Sequence, residues 1–209
     1  MTATRCSNPR LNSKGILLTR TLATYLNFLW AGLRQHGQTG GLIPSQRFLI
    51  ARMIAPVPED YRGEIIELGT GGGALTLQLA RRCPHARILA CEINPALAGD
   101  CRRNLKRAGH SERVEVVCAP AEQLFVDASQ RGTGRPDFII SGIPVGNLGK
   151  AKAGQLLDRI HQALGPEGLF IQFQHSLLDR RKIRARFTKL RTVPVWLNLP
   201  PAVVYFAQR

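Results

Sequence analysis

Acidic residues are missing from both ends of this 209-residue chain. Residues 1–58 contain no Asp or Glu but carry Arg5, Arg10, Lys14, Arg20, Arg34, Arg47 and Arg52. Residues 180–209 are equally free of acid and carry Arg180, Arg181, Lys182, Arg184, Arg186, Lys189, Arg191 and Arg209. All 14 acids lie between Glu59 and Asp179, where the remaining Lys and Arg balance them, so the formal charge of +15 belongs to the two flanks. A uniformly solvated basic surface fits that segregation poorly. It points to flank contact with something anionic: nucleic acid, a lipid surface or a phosphorylated substrate. No apolar run reaches the roughly 18–20 residues of a membrane span. The nearest, Leu22 to Leu33, is interrupted by Thr24 and Asn27 and lacks a small-residue cleavage site, so it is not read as a leader. The five cysteines, Cys6, Cys83, Cys91, Cys101 and Cys118, form no Cys-x-x-Cys pair. Their odd number favours free thiols over a disulfide framework. Cys83 and His85 alone do not make a metal site, and none is expected. With 44% hydrophobic and 21% charged residues, disordered and fibrous classes are excluded. The length suits one domain with an extension.

What is present falls into two parts, 1–58 and 59–209. Residues 1–14 read as a basic arm. Leu18, Leu22, Tyr25, Leu26, Leu29 and Leu33 recur at helical spacing across 16–34, broadened by Phe28 and Trp30. A short helix, 46–55, opens after Pro44-Ser45 and stops at Pro56. From there strand and helix alternate: strand Glu64–Leu68, helix Ala74–Arg82, strand Arg87–Cys91, helix Pro95–Ala108, strands Val114–Cys118 and Asp137–Ser141, helix Lys152–Leu164, strand Leu169–Gln174. Such alternation predicts an α/β fold with a doubly wound parallel sheet. The tail breaks it. Val193–Asn198 and Ala202–Ala207 have no helix between them, which predicts an antiparallel pair.

The first strand runs into Glu67-Leu68-Gly69-Thr70-Gly71-Gly72-Gly73. Glycines there let backbone approach a ligand, a property shared with nicotinamide-binding turns. Glu67 precedes the turn, where a cationic ligand would be balanced, and Glu92 ends the second strand, where it would hold both ribose hydroxyls of a nucleoside. Together with the antiparallel tail, this resembles the Rossmann-like methyltransferases that use S-adenosyl-L-methionine (SAM). The resemblance spans about 60–209. It implies a seven-stranded, mostly parallel sheet with a C-terminal antiparallel hairpin, an N-terminal helical extension, and SAM as cofactor. The cofactor set it implies is Glu67, Gly69, Thr70, Gly71, Gly73, Glu92, Ile93, Ala121, Glu122 and Ser141. Where the family has Gly-Asp-Ala after the third strand, this chain has Ala119-Pro120-Ala121. The adenine contact then passes to Glu122 or to backbone near Ala121.

The fourth strand delivers Ser141-Gly142-Ile143-Pro144-Val145. Methyltransferases acting on adenine amino groups resemble one another in Asn/Asp-x-Pro-aromatic, because a conjugated nitrogen needs a proton acceptor and a stacked ring. Ser141 and Val145 depart from that pattern, which argues against a nucleobase. An alkyl amine needs only deprotonation, alignment and exclusion of water. Ser141–Pro144 is similar to the Ser-Gly-Leu-Pro of bacterial phospholipid N-methyltransferases. Thr39-Gly40-Gly41-Leu42-Ile43-Pro44-Ser45, Gln172-Phe173-Gln174-His175 and Asn198-Leu199-Pro200-Pro201-Ala202 also resemble stretches of that family, in order. The resemblance implies stepwise methylation of phosphatidylethanolamine toward phosphatidylcholine, on the cytoplasmic face of a membrane, by a peripheral protein. An ornithine-lipid or other lipid amine is the neighbouring reading, and an adenine N-methyltransferase of ribosomal RNA the one from another class. Nucleic acid is not the expected partner; an anionic membrane surface and a phospholipid substrate are. The oligomeric state stays open.

Roles follow with their alternatives. His175 is a candidate base or a hydrogen-bonded strand-end histidine. Tyr25 orients the amine or packs in the core, and Ser141 accepts from the amine or caps its turn. Pro144, Arg180, Arg181 and Arg184 are candidate substrate and lipid contacts, the arginines alternatively a solvated helix face. Helix 16–34 lies in the headgroup layer or closes over the sheet as a lid.

Overall fold

The computed structural model describes residues 46–130, 134–177 and 179–209. The basic arm, helix 16–34 with Tyr25, and the motif Thr39–Ser45 lie outside the described residues. Helix α1 (Gln46–Ile54) leads into β1 (Glu64–Leu68), α2 (Ala74–Arg82), β2 (Arg87–Cys91), α3 (Pro95–Arg107) and β3 (Val114–Val117). Then come α4 (Ala121–Gln130), β4 (Phe138–Ser141), a 3-10 turn at Val145–Asn147, α5 (Lys150–Ala163), β5 (Leu169–Gln174), α6 (Arg180–Arg184), β6 (Lys189–Val195) and β7 (Ala202–Gln208).

The strands form one seven-stranded sheet in the order β3-β2-β1-β4-β5-β7-β6. The first five are parallel, and β7 runs antiparallel to both β5 and β6. The doubly wound sheet with a reversed tail is therefore as expected. β1 and β5 are buried along most of their length because both faces of a parallel sheet are covered by helices. One core lies on each face. Leu49, Ile50, Met53 and Ile54 of α1 join Ile65, Leu79, Ile88 and Phe206 on the first. Ile66, Leu68, Leu89, Leu124, Leu157 and Phe170 fill the second.

Local signals explain the helix ends. Asn94 caps α3, its side chain accepting from Ala96 N at 2.9 Å and Leu97 N at 3.3 Å, with Pro95 in the first turn. At the other end Gly109, at φ +73°, closes the helix, and His110 N donates to Leu105 O at 3.0 Å.

Two elements differ from the sequence-based expectation. The sixth strand is Lys189–Val195, not 193–198. Its extent is set by pairing along the whole of β7, from Lys189 opposite Gln208 to Val195 opposite Ala202. The apolar run of Trp196 and Leu197 belongs to the turn. Pro194 lies on β6, the sheet edge, where proline is tolerated. Helix α4 has no counterpart in the sequence pattern, since Ala121 and Leu124 supply only a thin apolar stripe before tertiary packing buries them.

β1 is flanked by β2 on one side and β4 on the other. At such a switch in strand order, the loops leaving the carboxyl ends diverge and open a crevice. Phe170, buried on β5, stacks on Phe187 with ring centroids 5.6 Å apart. Phe170→Ala is expected to cost about 3–5 kcal/mol, read as a lowered urea midpoint with an unchanged slope.

Candidate functional site

At the crevice, the chain after β1 turns through Gly69, Gly71 and Gly73, all at positive φ (78°, 54° and 89°). Gly69 N and Thr70 N both donate to Cys91 O, at 2.9 and 3.1 Å, tying the turn to the end of β2. Gly73 is required twice over. Its φ is left-handed, and a Cβ there would stand 2.7 Å from Cys101 Sγ on α3. The neighbouring corner is as tight: a Cβ on Gly142 would meet Gly69 O at 2.7 Å, and Gly142 N donates to Leu68 O at 2.7 Å. The turn after β1 and the corner after β4 are thus locked together through backbone.

Two carboxylates flank the turn. Glu92 is nearly buried; its Oε2 accepts from Gly71 N at 2.8 Å and its Oε1 from Asn94 N at 2.9 Å. An ionised carboxylate offers about four lone-pair sites, so two remain for a vicinal diol. Ile93, beside it, is 72% exposed, an apolar side chain held out where a ring face can lie on it. Glu67 is buried and its Oε2 has no hydrogen-bond partner. Burial pushes its carboxyl up to about 8, against a lowering by the Thr76 hydroxyl and with a smaller upward push from Glu92. A buried acid with an unpartnered oxygen, a diol-ready carboxylate and a backbone turn that excludes side chains fit a nucleoside carrying a cationic end. Glu67, the glycine turn and Glu92 with Ile93 are the residues that would hold SAM, whose sulfonium supplies an electrophilic methyl group. Ala121 is buried at the start of α4 and Glu122 exposed in its first turn.

The acceptor side is built by β4 and β5. Ser141 is fully buried, and its Oγ accepts from Ile143 N at 3.1 Å, so it caps the turn. Val145 is also fully buried, and Pro144 half-buried. Gln172 Nε2 donates to Ile143 O at 2.9 Å and Phe173 O at 2.8 Å, leaving its Oε1 without a partner. Gln174 Nε2 and Asp179 Oδ2 are likewise buried and unpartnered, while Asp179 Oδ1 accepts from Lys182 Nζ at 2.6 Å. Gly146 packs against both, since a Cβ there would lie 2.6 Å from Asp179 Oδ2 and 3.3 Å from Gln174 Oε1. His175 is exposed, with Nδ1 3.0 Å from Pro201 O. A carbonyl only accepts, so Nδ1 is the donor in that contact and Nε2 is the ring nitrogen left without it. Arg180, Arg181 and Arg184 are exposed on α6, whereas Lys182 pairs with Asp179 and Arg186 with Asp158.

Gly69, Thr70 and Gly71 are thus tied to the end of β2 and to Glu92, and Gly142 of the corner after β4 abuts Gly69. Tyr25 lies outside the described residues. Thr76, Gln174 and Asp179 have no assigned role in the sequence analysis. Gln172 and Gln174 do carry a signal, two amides two residues apart in an otherwise apolar strand, and Asp179 another, as the last acid before the basic tail. Among the described residues no group of acids, histidines and cysteines is placed to hold a metal.

Two outcomes are expected. Glu92→Ala removes the diol acceptor and releases Gly71 N, and should weaken SAM affinity by about a hundredfold or more by calorimetry. Unchanged affinity would sink the assignment. For Glu67, the folded chain retains a proton that the unfolded chain has lost between its ordinary value of 4.5 and about 8. Its contribution to stability is therefore present below 4.5 and lost as pH rises through 8. Relative to Glu67→Gln, the ligand-free protein should lose on the order of a few kcal/mol between pH 5 and pH 8, measured by urea unfolding.

The methyltransferase-domain family model matches residues 65–168. The chain is 30% identical over 185 residues to an ornithine lipid N-methyltransferase of Singulisphaera acidiphila, covering 87% of this chain and 95% of that one. Among solved structures, an O-methyltransferase from Bacillus cereus with bound S-adenosyl-homocysteine superposes with a TM-score of 0.65 at 18% identity, over 90% of this chain and 91% of that one. The N-methyltransferase NodS from Bradyrhizobium japonicum WM9, also with S-adenosyl-homocysteine, gives a TM-score of 0.65 at 13% identity, over 87% and 98%. The protein belongs to the Rossmann-like, SAM-dependent methyltransferases and, within them, resembles the lipid N-methyltransferases.

Proposed function

We propose that this methyltransferase acts on the primary amine of a lipid headgroup, with ornithine lipid as the first substrate to test and phosphatidylethanolamine as the second. The observation that carries the reading is the corner after β4. Ser141 and Val145 are both turned into the core, and the stretch from Ser141 to Asn147 contains no aromatic residue to stack a base. A conjugated base nitrogen has neither its proton acceptor nor its ring partner there. An alkyl amine needs neither.

The order between the two lipids rests on likeness. The relative covering nearly the whole chain acts on ornithine lipid, whereas the short motifs of Ser141–Pro144 and Asn198–Ala202 point to phospholipid amines. Both headgroups pair an ammonium with an anion, so the chain's own residues face one problem. An ammonium must be held, deprotonated and kept from water. Asp179 and Gln174 supply buried, unpartnered polar atoms on the acceptor side. His175, whose Nδ1 is taken by Pro201 O, leaves its Nε2 at the exposed end of β5. Asp179 and His175 are the residues proposed to receive the amine and its proton, and Gln174, whose unpartnered Nε2 only donates, is proposed to face the headgroup's anion.

Purified protein given SAM labelled on its methyl group, with ornithine lipid, phosphatidylethanolamine or total RNA, should transfer label into the organic extract with one or both lipids. Asp179→Asn should reduce that transfer at least tenfold while leaving SAM affinity intact. Label confined to RNA would overturn the reading of the β4 corner, and chromatography of the extract names the headgroup.

A further inference from the structure

Most large apolar side chains of the described residues are buried, but four exposed ones gather in two neighbouring loops. Leu177, after β5, is 55% exposed; Trp196, Leu197 and Leu199, in the β6–β7 turn, are 75%, 66% and 83% exposed. Sheet register brings the loops to one edge. Gln174, the last residue of β5, pairs with Val203 near the start of β7, and Val195 opposite Ala202 closes the hairpin. Side chains tie them further: His175 Nδ1 to Pro201 O at 3.0 Å, and Tyr205 Oη donating to Ser176 O at 2.8 Å. This is the carboxyl edge of the parallel strands, where the glycine turn and the β4 corner also lie.

The turn is shaped to present its apolar residues. Asn198, in the middle of the run, is the buried one, at 4% exposure. Its backbone N donates to Val195 O at 3.3 Å, and its Nδ2 donates to Pro200 O at 2.7 Å. Holding the polar residue inward leaves Trp196, Leu197 and Leu199 outward, the reverse of what solvation alone would select. Beside them the exposed Arg180, Arg181 and Arg184 of α6 follow Leu177 within a few residues. No acid follows Asp179 in the chain.

We propose that the β6–β7 turn, with Leu177, is a membrane-inserting tip that seats the carboxyl edge of the sheet on an anionic lipid bilayer. The inference rests on the lipid-amine reading and adds the surface by which the site reaches its substrate. Tryptophan and leucine suit the boundary between headgroups and acyl chains, and the arginines suit anionic headgroups around them. A second copy of the chain is a poorer occupant. A two-fold contact through this face would gather the three arginines of both copies into one interface and concentrate like charge there. Seating this edge lets a headgroup amine meet the β4 corner while its acyl chains stay in the bilayer.

The chain contains two tryptophans, Trp30 and Trp196, so W30F leaves Trp196 as the sole reporter. With vesicles of phosphatidylcholine and phosphatidylglycerol carrying brominated acyl chains, its emission should shift blue and fall at least twofold. Sedimentation of the otherwise unchanged protein with the same vesicles should weaken at least tenfold in L197E/L199E, with SAM affinity unaltered as the check on folding. Vesicle binding without quenching, or equal sedimentation of the variant, would overturn the proposal. So would a dimer, seen by light scattering, that the variant dissolves while vesicles leave Trp196 unquenched. Methyl transfer to lipid in detergent micelles separates the two readings. No transfer by the unsubstituted protein defeats the lipid-amine function, whereas transfer in micelles without quenching on vesicles defeats only the inserting tip.

Discussion

Two backbone amides from different loops, Gly71 N and Asn94 N, converge on the single carboxylate of Glu92. That convergence joins the turn after β1 to the start of α3, and Asn94 in turn caps α3. α3 then packs through Cys101 so closely on Gly73 that no Cβ fits between them. A charged acceptor bonded to two N–H groups is stronger than a neutral one, and here it is nearly excluded from water. The glycine turn is therefore held open by a residue that still has lone pairs to offer a ligand. The residue that would hold the cofactor's diol is thus also the one that ties the loops together.

On the other side of β1 the same economy appears with backbone alone. Gly142 against Gly69 O fixes the distance between the cofactor turn and the acceptor corner. Nothing larger than hydrogen is admitted at that contact. Downstream, polar atoms without partners collect at one place: Gln172, Gln174, Asp179 and Asn198 all lie on β5, just after it, or in the β6–β7 turn. Buried polar groups normally find partners. Gln172, Gln174 and Asp179 lie beside the β4 corner, which supports the proposed roles of Asp179 at the amine and of Gln174 at the headgroup's anion.

Charge and apolar exposure complete the edge. Among the described residues no helix is long and apolar enough to cross a membrane. The proposed lipid substrate is one that would be met at a bilayer surface. The exposed arginines of α6 follow β5, and Trp196, Leu197 and Leu199 face outward in the turn before β7, so the proposed means of approach and of chemistry share the carboxyl edge of the sheet.

Residue patterns local to the chain are legible in the amino-acid order itself. The alternation of apolar strands with amphipathic helices specifies the doubly wound sheet, because its period is written in consecutive residues. Glu67, the glycines and Glu92 are legible for a similar reason: each sits at the carboxyl end of a strand, where strand–turn–helix order alone delivers it to the crevice. Ser141 is ambiguous in sequence, since a hydroxyl near a turn can face in or out, and only its burial gives it to the turn. The end of β6 is misread from sequence because the apolar run from Val193 to Leu199 continues past the strand. Where pairing stops depends on β7, a partner that approaches from the other side of the turn. Asp179 and Gln174 gain meaning only when β5 and the 3-10 turn at Val145–Asn147 are brought together, and Trp196 only because Asn198 is the buried member of its turn. Sequence by itself determined the fold and the cofactor side, through short-range order. Which polar atoms are left unpaired, and which apolar ones face water, was decided by contacts between segments distant in the chain, and only the tertiary structure contains those.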